Sequence, residues 1–495
     1  MGWEVINLAF YPSLFLHMMP LTKKPLINGV KTLTGQHQLI IATTVFLITY
    51  AFIVSEKVHR TVAALVGAAL VVLTGIITPD RAVEAIDFNT IGLLVGMMII
   101  VGITRQTGVF EFLAIKAAKS SKGEPLKIMA ALCLVTAVLS AFLDNVTTVL
   151  LIVPVTFAIA RQLKITPLPF LIAEIIASNI GGTATLIGDP PNIMIGSATG
   201  LGFMDFVFNL TPVIVVIYVL TIPLLQLIYR KQLIAKEELQ ANIMLLDERE
   251  ELKNPVLLRK CLLVLALTIL GFVLHQYVHL ESSVIALSGA TLLLLISKED
   301  PEHALQIVEW PVIFFFIGLF VVVGSLEEVG VIEAVARWSL EITGGSILPT
   351  GILILWLSAV ASSFVDNIPF VATMIPLIQD MGRLGGITDL NFFWWSLSLG
   401  ACLGGNGTII GASANVVVIG MAEKRGQYIG FVDFFKIAFP LMLMSIVVST
   451  GYLLFWYVFH TQTAMLVTLC TGLLLALLLK LTAKVQPKEK KRANS

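Results

Sequence analysis

Residues 178–195 read SNIGGTATLIGDPPNIMI, a polar stretch set in the middle of a long apolar run. Within it lie Asn179, Gly181, Gly182, Thr183, Thr185, Gly188, Asp189, Pro190, Pro191 and Asn192. Two adjacent prolines remove two backbone donors and the glycines favour open backbone, so a continuous helix is not expected here. Polar, non-helical backbone at membrane depth persists only where protein covers it or where it lines a watery cavity. The competing reading is an ordinary extramembrane loop between two short apolar segments.

A repeat decides against that loop. Residues 401–418 read ACLGGNGTIIGASANVVV, and Gly404, Gly405, Thr408, Gly411 and Asn415 follow Gly181, Gly182, Thr185, Gly188 and Asn192 at an offset of 223. Before each stretch stands a second polar pair, in LDNVTTVLLIVP (143–154) and VDNIPFVATMIP (365–376). Asp144, Asn145 and Pro154 match Asp366, Asn367 and Pro376 at an offset of 222, as Gly67, Gly96, Gly102 and Gly108 match Gly289, Gly318, Gly324 and Gly330. The chain is a duplicated unit. A helix interrupted at mid-membrane, in corresponding places of two halves, is how many secondary transporters build a binding site.

Composition sets the medium. Of 495 residues 57% are apolar and 13% charged, with a mean hydropathy of +0.93, where soluble chains carry about 25% charge. An all-α polytopic membrane protein follows. Cys133, Cys261, Cys402 and Cys470 stand alone in apolar segments, which excludes a zinc knuckle or a disulfide framework. Cys402, near the second break, reads as a packed core thiol before it reads as a metalloid ligand. The histidines form no cluster, no Walker A loop occurs, and residues 1–20 lack a basic region ahead of their apolar part. No cofactor, resident metal, nucleic-acid partner or cleavable signal is therefore expected.

The chain divides in order. Residues 1–36 are an N-terminal segment in which 7–19 suits an interfacial helix or, less well, a short span. The first repeat covers 37–229, with a hairpin at 128–163 and a broken helix at 168–197. A charged linker, 230–256, precedes the second repeat at 257–457, with a hairpin at 349–384 and a broken helix at 391–422. A further span at 462–481 ends in a basic tail, 482–495. Each hairpin is either two spans or one re-entrant pair with its Asp-Asn at the tip. Either way each repeat crosses an odd number of times, so the two are inverted. Of 32 Lys and Arg residues, all but Lys23, Lys24, Lys31, Arg81, Arg337 and Arg383 fall on the side of the linker and the C-terminus. The positive-inside rule puts that side in the cytoplasm.

A carboxylate at a helix centre costs about 2.5–3.5 kcal/mol on insertion scales, so Asp144, Glu174, Asp189 and Asp366 need a reason to be there. Asp144 and Asp366 are the symmetric pair and the candidates for proton or cation handling; each could equally cap the half-helix that follows. Asp189 has Ala412 as its counterpart and reads as a ligand or as a turn residue beside Pro190. Glu174 is a candidate for proton coupling or for a pairing role. Asn145, Asn367, Asn179, Asn192, Asn406 and Asn415, with Thr147, Thr148, Thr183, Thr185, Thr408 and Ser413, offer neutral donors and acceptors for a small hydroxylated solute, or oxygens for sodium at the hairpin tips. Half-helix N-termini favour negative charge, but neither break contains Arg or Lys, which counts against a strongly anionic solute.

On LDNVTTVLLIVP followed by AEIIASNIGGTATLIGDPPNIMI, the sequence resembles the ion transporter superfamily, and within it the arsenite–antimonite efflux permeases, the P-protein group and the NhaD-type sodium/proton antiporters. The resemblance spans roughly residues 37–457. It implies an inverted-repeat, elevator-type carrier, commonly a homodimer, in which hairpins and broken helices slide against a scaffold. Carried over by position, the tips are Asp144-Asn145 and Asp366-Asn367, and the loops run from Asn179 to Asn192 and from Gly404 and Gly405 to Asn415. The dicarboxylate branch carries Ser-Asn-Thr at its tips; Asp-Asn here favours proton or cation coupling over succinate or citrate. The expectation is proton-coupled export of arsenite or antimonite across a bacterial inner membrane, with sodium/proton antiport and then carboxylate transport as alternatives. A soluble ATPase partner is compatible with the sequence. Enzymatic activity is not expected, since no nucleophile–base pair or metal motif occurs.

Overall fold

The computed structural model describes residues 35–55 and 57–459; the expectations for 7–19, 462–481 and the basic tail lie outside them. Among the described residues all regular structure is helical, 22 α-helices and one 3-10 turn. Nine of the described helices are long and apolar enough to cross a membrane. The first half comprises α1 (Gly35–Ser55), α2 (Arg60–Leu73), α3 (Pro79–Glu84), α4 (Phe88–Arg105), α5 (Val109–Ser120), α6 (Pro125–Phe142), α7 (Asn145–Leu163), α8 (Leu168–Gly182), α9 (Pro190–Thr199), α10 (Phe203–Asn209) and α11 (Thr211–Tyr229). After α12 (Glu237–Met244) come α13 (Pro255–Val278), α14 (Ser282–Ser297), α15 (Pro301–Ile307), α16 (Trp310–Glu328), α17 (Val331–Thr343), α18 (Ile347–Phe364), α19 (Asn367–Gly385), α20 (Asn391–Gly404), α21 (Ser413–Glu423) and α22 (Phe431–Phe459).

Adding 222 to the boundaries of α6 and α7 reproduces those of α18 and α19. The duplication therefore extends to the signals that start each helix. Asp144 and Asp366 both cap the arm that follows them, accepting from the backbone of Thr147 and Ile368, and prolines at the first turn open α6, α9, α13 and α16 where a donor is not needed. The α10 helix has no partner in the second half.

The helices pack as two groups. In the outer group α2 lies on α16 and α4 on α14, the same pairing made twice, with α1 and α13 alongside. Lipid gives apolar helices no reason to associate, so these contacts rest on close packing. A Cβ on Gly96 would come within 2.6 Å of the Ala286 backbone, and one on Gly318 within 2.7 Å of the Ala64 backbone. In the inner group α6 packs on α8 and α18 on α20, and the halves interlock through α7 with α21 and α9 with α19. Every residue of α8 after Leu168 and of α20 after Asn391 is buried. Exposed apolar side chains such as Leu47, Leu263 and Val447 cover the perimeter, as a lipid-facing surface requires.

The linker is folded back rather than loose. Lys119 on α5 donates to the Leu246 carbonyl (2.7 Å) and to Glu248 (2.5 Å), and Lys253 N–H donates to the Thr107 carbonyl. Gly108 sits at φ +77, and a Cβ there would lie 1.7 Å from the Glu251 carbonyl oxygen, so only glycine admits the linker at this point. The Lys119 ammonium, by its hydrogen bond, holds the Glu248 carboxyl below the usual glutamate range. A lowered folded value means that the contribution is present above the ordinary glutamate pKa and is lost as pH falls through the lowered one. Lys119→Ala is expected to speed tryptic cleavage at Arg249 and Lys253 several-fold, read as the appearance of two half-chain fragments; an unchanged rate would mean that the pair does not hold the linker.

Candidate functional site

Both polar stretches interrupt their helices. α8 ends at Gly182 and α9 begins at Pro190; α20 ends at Gly404 and α21 begins at Ser413. Close approach explains the glycines at the ends. A Cβ on Gly181 would lie 2.1 Å from the Ala137 carbonyl oxygen, and one on Gly404 2.6 Å from that of Ala359. Within each break Gly188 backs onto Gly182 and Gly411 onto Gly405. Thr185 and Thr408 donate to the carbonyls of Ala141 and Ser363, each fastening its break to the preceding hairpin. Thr183 donates to the Asn179 carbonyl (2.7 Å).

Asparagines close the loops and join the halves. Asn192 Nδ2 donates to the carbonyls of Thr183 (3.2 Å) and Thr185 (2.8 Å), and Asn415 Nδ2 to those of Gly405 (2.7 Å) and Thr408 (2.9 Å). Each then offers its Oδ1 to the opposite half. Asn415 accepts from Asn179 (2.9 Å), while Asn192 accepts from Ser398 (2.6 Å) and faces the Cys402 thiol at 3.6 Å. Asn179 also donates to Asn406 Oδ1 (2.9 Å) and accepts from Asn145 Nδ2 (3.1 Å). One buried chain thus runs from the first hairpin tip through both breaks.

The four acids are placed differently. Asp189 is fully buried, starts α9 without capping it by its side chain, and accepts from Asn367 Nδ2 at 3.2 and 3.3 Å. The Cys402 thiol also faces this carboxyl, and no basic side chain pairs with it among the described residues. Asp144 is half-buried and bonds locally, to the Thr147 N–H (2.8 Å) and hydroxyl; the adjacent Thr148 hydroxyl is buried without a partner. Asp366 accepts from the Ile368 N–H (3.0 Å), the Ser413 hydroxyl (2.6 Å) and Arg60 Nη1 (3.2 Å). Glu174 accepts from Thr156 (2.5 Å), leaves its other oxygen unpaired, and shares no hydrogen bond with the asparagine chain. The symmetric pair, Asp144 and Asp366, therefore have unlike surroundings, and the fully buried acid bonded across the halves is Asp189.

Two participants escape a reading of the motifs. Arg60 comes from the outer group and supplies the fixed cation that both breaks lack; its only linear mark is a charge at the head of an apolar helix whose counterpart, at position 282, is serine. Ser398 lies a turn before Cys402 and looks like an ordinary polar residue of an apolar helix.

Known proteins similar to this chain are transporters. The family described as citrate transporter (CitMHS) matches residues 50–400. An uncharacterised transporter of Mycobacterium tuberculosis is 45% identical over 419 residues, covering 84% of this chain and 97% of that protein. The human P protein is 36% identical over 515 residues, covering 87% of this chain and 62% of that protein. Among solved structures, the YdaH transporter of Alcanivorax borkumensis superposes with a TM-score of 0.50 at 15% identity, covering 85% of this chain and 98% of that one, a likeness of fold. With an all-helical polytopic fold, paired helix breaks and these relatives, the chain belongs to the citrate transporter family of the ion transporter superfamily, the group of secondary transporters that also holds the P proteins.

Proposed function

We propose that this transporter couples cation movement, a proton first, to export of a small neutral hydroxylated solute, arsenite or antimonite. The observation that carries the coupling is Asp189. An ionised carboxylate with no exposure and only an amide and a thiol beside it is costly, so it is held neutral by a proton or paired with a bound cation. Asp144 and Asp366 flank it at the tips as further stations, Glu174 stands apart as a proton reservoir, and sodium at the tips is the variant of the same chemistry. The solute reading rests on charge as well: the nearby fixed cation, Arg60, is already engaged by Asp366. What remains is amide, hydroxyl and backbone, among them the unpaired Thr148 hydroxyl, which suits a neutral trihydroxide. Movement by an elevator stroke, with the inner group sliding on the outer one in a homodimer, a cytoplasmic linker and C-terminus, and a plasma-membrane location, completes the proposal.

Carboxylate transport is the second reading. It is favoured by Arg60, which would bind an anion if Asp366 released it, and by the substrate in the family's description. Everted vesicles under an imposed acid-inside gradient separate the cases. Arsenite uptake several-fold above vector control, collapsed by a protonophore, is the expected result. Gradient-dependent uptake of citrate alone would replace the solute, and proton release by sodium alone would make the chain an antiporter.

A further inference from the structure

Arg60 belongs to the outer group and touches the inner one. It is the first residue of α2, whose N-terminus is fixed on α16 by the Thr61 hydroxyl donating to the Pro311 carbonyl at 2.6 Å. Its guanidinium lies over the Phe315 ring, 5.1 Å from the centroid, a cation–π contact that anchors the charge to the same helix. The same charge also meets two further elements of the second half. Nη1 reaches Asp366 Oδ2 at 3.2 Å and also donates to the Ser413 hydroxyl, which itself donates to Asp366 Oδ2 at 2.6 Å. Asp366 is the tip of the second hairpin and Ser413 the first residue after the second break. One guanidinium therefore clamps both to the outer group.

The surroundings suit a contact that opens. A cavity of about 230 Å³ lies along it, lined both by Val58 and His59 of the outer group and by Val416 and Val417 of α21. Arg60 and Asp366 keep 27% and 13% side-chain exposure, so the pair is wetted rather than sealed. The first hairpin tip has no such grip among the described residues: Ser282 occupies the position matching Arg60, Asp144 bonds within its own helix start, and the outer group meets α9 instead through the neutral Ser197 hydroxyl, which donates to Asp87 at 2.8 Å.

We infer that Arg60 is a positioning residue of the transport cycle, holding the second hairpin tip and the second half-helix against the outer group in this state, and that transport requires this clamp to open. The inference rests on the reading of the inner group as the moving part. It assigns the two tips different duties: the Asp366 tip is gripped by the scaffold, whereas the Asp144 tip is not.

The test uses the full chain in vesicles, with Cys470 replaced by serine and cysteines introduced at Val58 and Val417, which line the cavity from the two groups; the native Cys133, Cys261 and Cys402 are buried. A short bifunctional thiol reagent reads how often the two positions are close. Arg60→Met and Asp366→Asn are each expected to lower the crosslinking yield about fivefold, the upper end for a partly wetted ion pair. The double variant should fall no further than either single one, because the two residues share one interaction. Arg60→Lys should keep most of the yield, and in transport Arg60→Met should change the maximal rate with little change in KM. Equal yields in Arg60→Met and the unsubstituted chain, or additive losses in the double variant, overturn the inference. If Arg60→Met fails to fold, the Arg60→Lys and Asp366→Asn arms decide, since loss in the first or retention in the second is equally fatal. Crosslinking needs no solute, so its failure leaves the coupling proposal standing, and a wrong solute leaves the clamp standing.

Discussion

Asp189→Asn is expected to reduce gradient-driven transport by more than about tenfold, a loss of at least ~1.4 kcal/mol in the driven step, while the helix break stays folded. Asparagine has the shape of the carboxyl and keeps an oxygen to accept from Asn367, which now lies 3.2 and 3.3 Å from the two carboxyl oxygens. What it cannot do is change charge, and the argument for coupling is that a fully buried acid without a basic partner must be neutralised for the inner group to rest or move. The substitution keeps the shape and the acceptor for Asn367 and breaks no pair with a basic side chain, so the melting temperature in detergent should stay about level. Asp144→Asn serves as the contrast. Asp144 caps α7 from a half-buried position, and asparagine caps about as well, so a smaller loss is expected there. Uptake driven by an acid-inside gradient, with each variant reconstituted at equal density, checks the order. Full driven uptake in Asp189→Asn would move the coupling to Asp144, Asp366 or Glu174.

The role of Asp189 is not legible in its own stretch, because its partner lies in the other half. The helices, their breaks and their starts are written in local chemistry, in Pro190 and Asn145 as much as in Gly181, and duplication doubles the signal. Pairings across the halves are not local. Position 179 holds asparagine in one half and its counterpart, 402, holds cysteine; symmetry alone would therefore bring Asn367 against a thiol. Asp189 supplies the missing acceptor from the other half, and it does so at a position whose counterpart is Ala412. Arg60 is hidden for the same reason: 306 residues separate it from Asp366, and a motif search confined to the breaks sees no cation. The docking of the linker on α5 depends on Gly108, which the repeat marks, but nothing in the linker's charge pattern names its partner.

Asn179→Ala carries the second large effect, on stability. Asn179 is wholly buried and uses both ends of its amide, donating to Asn406 and Asn415 at 2.9 Å and accepting from Asn145 at 3.1 Å. Alanine would strand two acceptors and a donor among apolar neighbours. Asn415 keeps its own-loop bonds to Gly405 and Thr408, whereas the remaining contact of the Asn406 amide, to the Ile176 carbonyl, is 3.5 Å long. Single interhelical bonds in membranes average about 0.6 kcal/mol, and a stranded buried group costs about 1–3 kcal/mol; three lost bonds therefore place the expected destabilisation at roughly 2–5 kcal/mol. Asn179→Cys copies the residue that the second half uses at this place and leaves a weak donor, so it should fall between alanine and the unsubstituted chain. Thermal unfolding in one detergent, followed by loss of the monodisperse peak, gives the ranking. If alanine proves as stable as asparagine, the two breaks are held together by backbone and packing alone, and the asparagine chain would be free to serve the solute instead of the fold.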